Sequence, residues 1–228
     1  MRERRRELAR QALDGYPEGP AAALVAHTAL DELDRLDVVR GVVLVEGVID
    51  RIAVEALARR LGHDLAAAGV AVVPTGGAQG TARMLRALVA RHPAVAPAGL
   101  YDVAEAAVIR RALGDLGFAG AHQTPDEAGF FACVDDLEDE LLRAVGLDAV
   151  EQVLDAQGDL PAFRRLQQQP EWRERDIRSQ VRRWLSSGSR RKLRYARILI
   201  EATADDRMPR PLVDALARAI RAAGGDQA

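Results

Sequence analysis

The sequence predicts an α/β fold in which a parallel four-stranded sheet is flanked by helices and followed by an all-helical C-terminal extension. Short apolar runs without polar alternation recur up to about residue 134, which is typical of strands covered on both faces. Segments with apolar residues at helical spacing separate these runs, and such alternation favours a parallel sheet with helices on both sides. Beyond Gly146 the strand pattern stops and only helical patterns remain.

The predicted elements follow one another in a regular order. The first strand covers residues 42–45, and the helix after it runs from about residue 52 to residue 61, where Gly62 is a typical stop. The cycle then repeats, with further strands at residues 70–74, 98–101 and 130–134 and helices at about 81–90 and 104–113.

Three segments are expected from these patterns. They are a helical N-terminal segment over residues 1–37, an α/β domain over residues 38–145 and a helical C-terminal extension over residues 146–228. The helices of the extension are expected at about residues 148–157, 162–168, 173–185, 190–204 and 211–223.

Composition excludes several classes of protein. The chain has 228 residues, of which 48% are hydrophobic and 29% charged, as in globular proteins with a sizeable core. No apolar run approaches the roughly 18 residues that a membrane span needs, and no signal peptide follows the charged start. We therefore expect a cytoplasmic protein without membrane association. The single cysteine, Cys133, cannot form an internal disulfide and is expected to be buried.

The net charge of −2 hides two segments of opposite charge. Residues 99–160 carry fourteen acidic side chains against three arginines, whereas residues 161–200 carry twelve basic side chains against three acidic ones. One interpretation is that two solvated helical faces of opposite sign pack together. The other is that the acidic segment binds cations and the basic segment binds phosphates.

Acidic residues follow three of the four predicted strands. Glu46 follows the first, Asp102 the third and the run 135–140 the fourth, whereas the second ends in a glycine-rich turn. Asp50 lies about one helical turn beyond Glu46. The carboxyl ends of parallel strands meet at one edge of the sheet, where ligands bind. Helix N-termini also favour acids, but a set of carboxylates at one edge suits Mg²⁺ or Mn²⁺ better than zinc.

These residues resemble a known domain family. Glu46-Gly47 with Asp50 and Asp102 is similar to the Toprim domain of topoisomerases, primases and small nucleases. The closer resemblance is to the Toprim nuclease domain of the overcoming-lysogenization-defect (OLD) family. Its motifs here are Val-Glu-Gly, Val-Val-Pro-Thr-Gly-Gly at residues 72–77, an acidic segment after the fourth strand, and a distal basic helix. The resemblance implies a Rossmann-like Toprim fold for residues 38–145.

The resemblance also implies a function and a set of site residues. A Toprim nuclease would cleave DNA with two divalent ions, Mg²⁺ or Mn²⁺. One ion would be held by Glu46, Asp50 and Asp102, and the other by Asp136 and Glu138, with Glu105 as a further ligand. Glu46 and Lys192 would be the catalytic residues.

The basic region raises two further expectations. Lys192 is the only lysine beside 31 arginines, so either it survives by chance or a compact charge is needed there to neutralise a phosphorane-like transition state. The surrounding arginines are expected to contact the nucleic-acid backbone, with Trp184 and Tyr195 interleaved, although Trp184 fits a helical core better. These arginines are Arg182, Arg183, Arg190, Arg191, Arg194 and Arg197, of which the last four are the main candidates.

The sequence departs from the family pattern at two points. Toprim domains carry Asp-x-Asp at the third strand, whereas Ala104 occupies the second acidic position here and Glu105 is the possible substitute. The chain also lacks the phosphate-binding loop of the ATPase fused to OLD nucleases. A separately encoded ATPase and a homodimer are therefore the implied partners besides DNA. Two alternatives stay open: a catalytically degenerate module that binds nucleic acid or an ATPase, and phosphoryl transfer on a small nucleotide.

Overall fold

The computed structural model describes residues 39–120 and 123–224, and the predicted N-terminal segment lies outside them. The described chain alternates strands and helices and then continues with helices alone. The strands are β1 (Gly41–Val45), β2 (Val70–Pro74), β3 (Ala96–Asp102) and β4 (Phe130–Cys133). The helices are α1 (Val48–Arg60), α2 (Ala78–Arg91), α3 (Ala106–Asp115), α4 (Leu137–Val145), α5 (Leu147–Ala156), α6 (Leu160–Gln167), α7 (Ile177–Ser186), α8 (Ser189–Ala202) and α9 (Arg210–Gly224). Two 3₁₀ turns occupy Val103–Glu105 and Asp205–Arg207.

The four strands form one parallel sheet in the order β2-β1-β3-β4. Leu44 is paired with Val73 on one side and with Gly99 on the other, and Asp102 is paired with Cys133. The central strand β1 is buried at every position, which explains its apolar run without alternation. All four carboxyl ends therefore lie at one edge, and the predicted fold class is confirmed.

Helices cover both faces of the sheet. On one face, Val42 and Leu44 pack in a core with Leu85 of α2 and Ile109 of α3. On the other face, Val43 and Val45 of the same strand pack in a larger core with α1 and α9. Successive side chains of β1 thus enter opposite cores, as the pleat of a strand requires.

A close approach between backbones fixes α9 against the sheet. A Cβ atom at Gly41 would lie 2.4 Å from the carbonyl oxygen of Ala219, so only glycine lets α9 approach β1 this closely. Helix α9 also packs on β3 and β4. The last described helix is thus part of the covering layer of the sheet.

The C-terminal helices share one hydrophobic core with the sheet. The core that contains Val43 and Val45 continues through α4 to α9 and includes the large side chains Phe163, Trp184 and Tyr195. Helix α8 packs against α1 and α4, where Leu193 and Ala196 meet Ile52. This contact brings the only lysine of the chain to the acidic edge of the sheet.

The element boundaries correct the expectations in several places, and the helix after β1 begins at Val48, four residues earlier than expected. The helix expected from residue 173 begins at Ile177, because Asp176 caps it by accepting hydrogen bonds from both the amide and the hydroxyl of Ser179. The acidic run after β4 forms α4, which the periodicity did not predict. Strand β3 begins two residues earlier than expected. Within the described residues, no helix combines the length and apolar character needed to cross a membrane.

Candidate functional site

A cavity of about 500 Å³ opens at the carboxyl edge of the sheet. It is lined by residues at or just beyond the carboxyl ends of all four strands, together with one side chain from α8. Its polar lining consists of Glu46, Asp50, Asp102, Asp136, Glu138 and Lys192, and Gly76, Tyr101 and Cys133 also line it. Six of the predicted site residues therefore surround one cavity.

The turn after β1 places the first two carboxylates. Glu46 directly follows the strand and is exposed to the cavity, whereas Asp50 lies in the first turn of α1 and is partly buried. The amide of Gly47 donates a hydrogen bond of 2.7 Å to Oδ2 of Asp50, which closes the N-terminus of α1. Asp50 therefore orders the turn that presents Glu46.

The glycine-rich turn after β2 holds the backbone of Glu46 in place. The amide and the hydroxyl of Thr75 both donate to the carbonyl of Val45, at 2.8 and 3.0 Å, and the amide of Gly76 donates to the carbonyl of Glu46 at 2.8 Å. Gly76 has a φ of 78°, which favours glycine. The turn thus extends the pairing of β1 with β2 to the first acidic residue of the site.

Glu105 lies beside the cavity and is not part of its lining. Its Oε1 accepts a 3.3 Å hydrogen bond from the amide of Ala78, the first residue of α2. A carboxylate at a helix N-terminus is stabilised by the exposed amides and the helix dipole. Ala104 is exposed and contributes no ligand. The residue expected to replace the missing second aspartate is therefore engaged in capping α2.

The residues after β4 are held by cations. Asp136 caps α4 by accepting from the amide of Asp139 at 2.8 Å, and its other oxygen pairs with Arg182 of α7. Oε1 of Glu138 lies 2.5 Å from Nζ of Lys192. Since α7 and α8 supply these cations, the C-terminal helices complete the electrostatics of the cavity.

Burial and mutual repulsion raise the pKa values of the central acids. Burial, together with the charge of Glu46, raises the pKa of Asp50 to about 7 and that of Asp102 to about 6. The hydrogen bond from Gly47 opposes the shift at Asp50. Desolvation and then the charge of Glu105 also raise the pKa of Glu46. The cluster therefore carries more negative charge than its protein partners offset.

A divalent cation fits this donor set. Carboxylate oxygens are the ligands that Mg²⁺ and Mn²⁺ prefer, and a cation would relieve the repulsion that raises these pKa values. The carboxylates do not form a finished coordination sphere, since no three His, Cys, Asp or Glu side chains in residues 39–120 and 123–224 are gathered as metal ligands are. Binding of an ion therefore requires side-chain movement. The ammonium group of Lys192 would compete with the ion for the carboxylate of Glu138.

Comparison with known proteins agrees with this geometry. Residues 39–95 match the family model described as the overcoming lysogenization defect protein-like TOPRIM domain. The C-terminal region of the Xanthomonas campestris pv. campestris OLD protein is similar in structure, with a TM-score of 0.62 and 23% identity over 82% of this chain and 94% of that chain. Residues 39–95 therefore belong to an OLD-like Toprim domain. The C-terminal region of the Burkholderia pseudomallei OLD protein is also similar, with a TM-score of 0.59 and 20% identity over 81% of this chain and 98% of that chain.

The Toprim domain indicates a function related to nucleic acids and metal binding. Among curated proteins, none matches the chain. The likeness to the two solved OLD regions supports the fold of the Toprim domain together with its helical C-terminal part.

The structure corrects the nucleic-acid surface expected beside this Toprim domain. Arg194 is only 6% exposed, pairs with Asp159 and lies over the ring of Tyr195, so it cannot reach a nucleic-acid backbone. Arg191 packs over the ring of Trp184 and donates to its carbonyl. Trp184 and Tyr195 are buried core residues, as expected for Trp184.

The remaining basic residues of α8 are more accessible. Arg190 is exposed, and Arg197 is partly buried and forms an ion pair with Glu201 one turn later. Helix α8 therefore contributes Lys192 to the cavity, while most of its other basic side chains are committed to contacts within the protein.

Two arginines of α7 have partners that the sequence did not indicate: Arg178 belonged to no predicted set, and Arg182 was expected to contact nucleic acid. Arg182 and Arg178 of α7 lie beside the acidic run, where Nε of Arg178 donates to the fully buried Asp139 at 2.6 Å. No sequence motif predicts these ion pairs, because the acidic and basic residues lie about forty residues apart. The opposite charges of the two segments were the only signal. The structure shows that the two segments pack together, while binding of cations and phosphates stays a prediction.

Proposed function

We propose that this Toprim domain is a divalent-metal-dependent DNA endonuclease. The single observation that carries the proposal is the convergence of five carboxylates and the only lysine on one cavity at the carboxyl edge of the sheet. Such a cavity offers hard oxygen ligands for metal ions beside a cation for a phosphate. The match of residues 39–95 to the OLD-like Toprim model supports the same reaction class.

In this proposal the carboxylates divide between two metal positions, to be filled by Mg²⁺ or Mn²⁺. Glu46, Asp50 and Asp102 would hold one ion, and Asp136 with Glu138 the other. Glu105 adds negative charge from the helix it caps. Bound ions would activate water and stabilise the leaving oxygen of the scissile phosphate.

Lys192 has two successive partners in this proposal. Without substrate it neutralises Glu138. When Glu138 turns toward a cation, Lys192 is released and its compact ammonium group is free to contact the non-bridging oxygens of the phosphate. A charge aimed at the developing negative charge stabilises the transition state more than the ground state.

The test is plasmid cleavage against a panel of divalent metals. The native protein should nick plasmid with Mg²⁺ or Mn²⁺ and lose this activity in chelator. Glu46→Ala should abolish nicking with the fold retained, because it removes a ligand from the centre of the cluster. Glu171→Ala, which removes an exposed acid far along the chain, is the matched control. Cleavage that survives Glu46→Ala would overturn the proposal.

A second candidate function is a catalytically degenerate module that binds nucleic acid or an ATPase. Two observations favour it: Ala104 replaces an acid, and Glu105 is engaged with the amide of Ala78. Such a module would bind DNA with steep salt dependence and show no gain in cleavage as Mn²⁺ is titrated. Hydrolysis of free nucleotides without cleavage of polymers would instead support phosphoryl transfer on a small nucleotide.

The setting of this activity is proposed from the resemblance alone. We expect a cytoplasmic nuclease that acts as a homodimer with a separately encoded ATPase. Light scattering on the purified chain measures the oligomeric state, and stimulation of cleavage by a co-expressed ATPase with ATP tests the partner. A monomer that cleaves DNA at full rate would remove the homodimer from the proposal.

A further inference from the structure

A second concave surface lies between α2 and α3, outside the acidic cavity. It is a groove of about 270 Å³ whose lining includes the small side chains of Ala82, Ala107 and Ala112. Its polar lining consists of Gln79 and Arg86 from α2 and Arg111 and Asp115 from α3. The small residues leave the groove open between two arginines on facing helices.

The groove contains one acid, Asp115, but neither of its two arginines forms an ion pair with it. Arg86 and Arg111 are exposed, and neither forms an ion pair or hydrogen bond with a residue that the structure describes. By contrast, Arg194 and Lys192 on α8 are both paired with acids. An exposed arginine fork without a carboxylate partner is suited to bind phosphate in two-point contacts.

The whole outer layer around the groove is basic. Helices α2 and α3 together contain five arginines and one aspartate, which is a net charge of +4. This layer covers the face of the sheet opposite α9. The basic character was hidden in the sequence, because α3 lies within the segment that is acidic as a whole.

The groove begins where the acidic cavity ends. Gly76 lines the cavity and Gln79 lines the groove, while Asp102 lines the cavity and Ala107 the groove. The contact between Glu105 and the amide of Ala78 lies between the two. The two surfaces are thus only a few protein residues apart. A nucleic-acid backbone that leaves the cavity on this side therefore meets the groove.

We propose that the groove between α2 and α3 binds the sugar-phosphate backbone of the nucleic acid whose scissile phosphate lies in the acidic cavity, with Arg86 and Arg111 as the phosphate contacts. The proposal rests on the proposed function, because it assigns that substrate a path on the surface. It also explains how a polyanion stays near an acidic cluster. Two unpaired arginines offset the repulsion that the carboxylates exert on an approaching phosphate.

The experiment measures DNA binding without cleavage. Fluorescence anisotropy of a labelled duplex in chelator is followed from low to high salt for the native chain and for Arg86→Ala/Arg111→Ala. The matched control is Arg165→Ala/Arg221→Ala, which removes two exposed arginines from α6 and α9. Thermal melts establish that both double variants are folded. We expect the groove variant to lose roughly tenfold or more in affinity near 0.1 M salt and about two units of salt slope.

The outcomes separate this proposal from the nuclease assignment. An equal loss in the groove variant and the control would mean that only net charge matters, and would overturn the groove. The groove proposal is also overturned if the groove variant binds DNA as tightly as the native chain does. It is overturned as well if the native chain does not bind DNA. In each case plasmid nicking by the native chain and by Glu46→Ala remains a separate test of the proposed nuclease activity. A selective loss in the groove variant supports the proposal.

Discussion

The ammonium nitrogen of Lys192 lies 2.5 Å from a carboxylate oxygen of Glu138, and this ion pair joins α8 to α4 across the mouth of the acidic cavity. The Glu138 side chain is 16% exposed and that of Lys192 is 30% exposed, so the pair is partly shielded from water. A proton or metal ion that neutralises Glu138 would release the lysine. The pair thus couples cation binding to the position of Lys192.

Removal of this lysine should separate metal binding from cleavage. Lys192→Ala leaves Glu138 without its partner, so the affinity of the cavity for Mn²⁺ should rise about threefold to tenfold. Cleavage should nevertheless fall by about a hundredfold, because charge opposite the transition state is lost. Calorimetric titration with Mn²⁺ and plasmid nicking measure the two effects. Lys192→Arg keeps the charge and should bind Mn²⁺ like the native chain; a parallel loss of affinity and cleavage in Lys192→Ala would contradict this role.

The stability of the metal-free protein should fall as pH rises from about 4 to 7. Burial raises the pKa of Asp50 from 3.8 to about 7, so the folded state holds a proton in this range that the unfolded state has lost. Asp102, with a pKa of about 6, acts in the same direction over the lower part of the range. Urea unfolding in chelator at several pH values measures the slope, for which we expect a change on the order of 1 to 3 kcal/mol.

Asp50→Asn is the matched variant for this pH dependence. Because asparagine does not titrate, the fall in stability between pH 4 and 7 should become smaller. Mg²⁺ should restore stability more at pH 8 than at pH 6, where protons compete for the same oxygens. A native protein whose stability rises steadily through this range would show that Asp50 is ionised in the folded state.

Replacement of Arg194 should affect folding and leave DNA affinity unchanged. The guanidinium is buried against Asp159 and Tyr195, so Arg194→Ala removes a buried positive charge from beside the buried carboxylate of Asp159. We expect a loss of about 3 to 5 kcal/mol in the free energy of unfolding. The exposed Arg165→Ala should change stability by less than about 0.5 kcal/mol. Chemical denaturation measures both; a selective loss of DNA binding at native stability would restore Arg194 to the nucleic-acid surface.

Two helical glycines should respond oppositely to alanine. At Gly80 a Cβ atom would lie 1.8 Å from the carbonyl oxygen of Thr75, so Gly80→Ala must distort the turn that holds Glu46 and should cost about 1 to 3 kcal/mol. Nothing lies within 4 Å of a Cβ atom at Gly114 in α3, so Gly114→Ala should stabilise by about 0.5 to 1 kcal/mol. Thermal unfolding distinguishes them. Equal effects of the two substitutions would show that the turn adapts freely.

The sheet was predictable because each of its strands is covered on both faces. The apolar runs at β1 and β2 carry this signal without interruption, and their observed limits differ from the expected ones by one residue at most. Strand β3 was harder, because Pro97 suggests a break. Its missing amide is tolerated, since β4 pairs with β3 only from Gly99 onward.

The candidate site was predictable at the ends of the strands and not across the helices. Parallel pairing alone brings Glu46 and Asp102 to one edge, so position in the strand was enough. Whether Arg194 and Arg182 are buried, paired or accessible depends on which face of each helix packs against its neighbour. Runs of arginine obscure the helical spacing of apolar residues that would predict this face. Composition therefore indicated a basic region, while packing decides which of its side chains are accessible.

The sheet cannot be fully covered until helix α9 has been synthesised. This helix covers β1 from more than 160 residues further along the chain, and its backbone reaches the sheet only because Gly41 has no side chain. During synthesis the apolar face formed by Val43 and Val45 therefore stays incompletely covered until α9 is made. Folding thus depends on contacts of high sequence separation. A nascent chain that stops before residue 210 would cover this face only in part, with α1, and would leave the rest exposed and prone to aggregate.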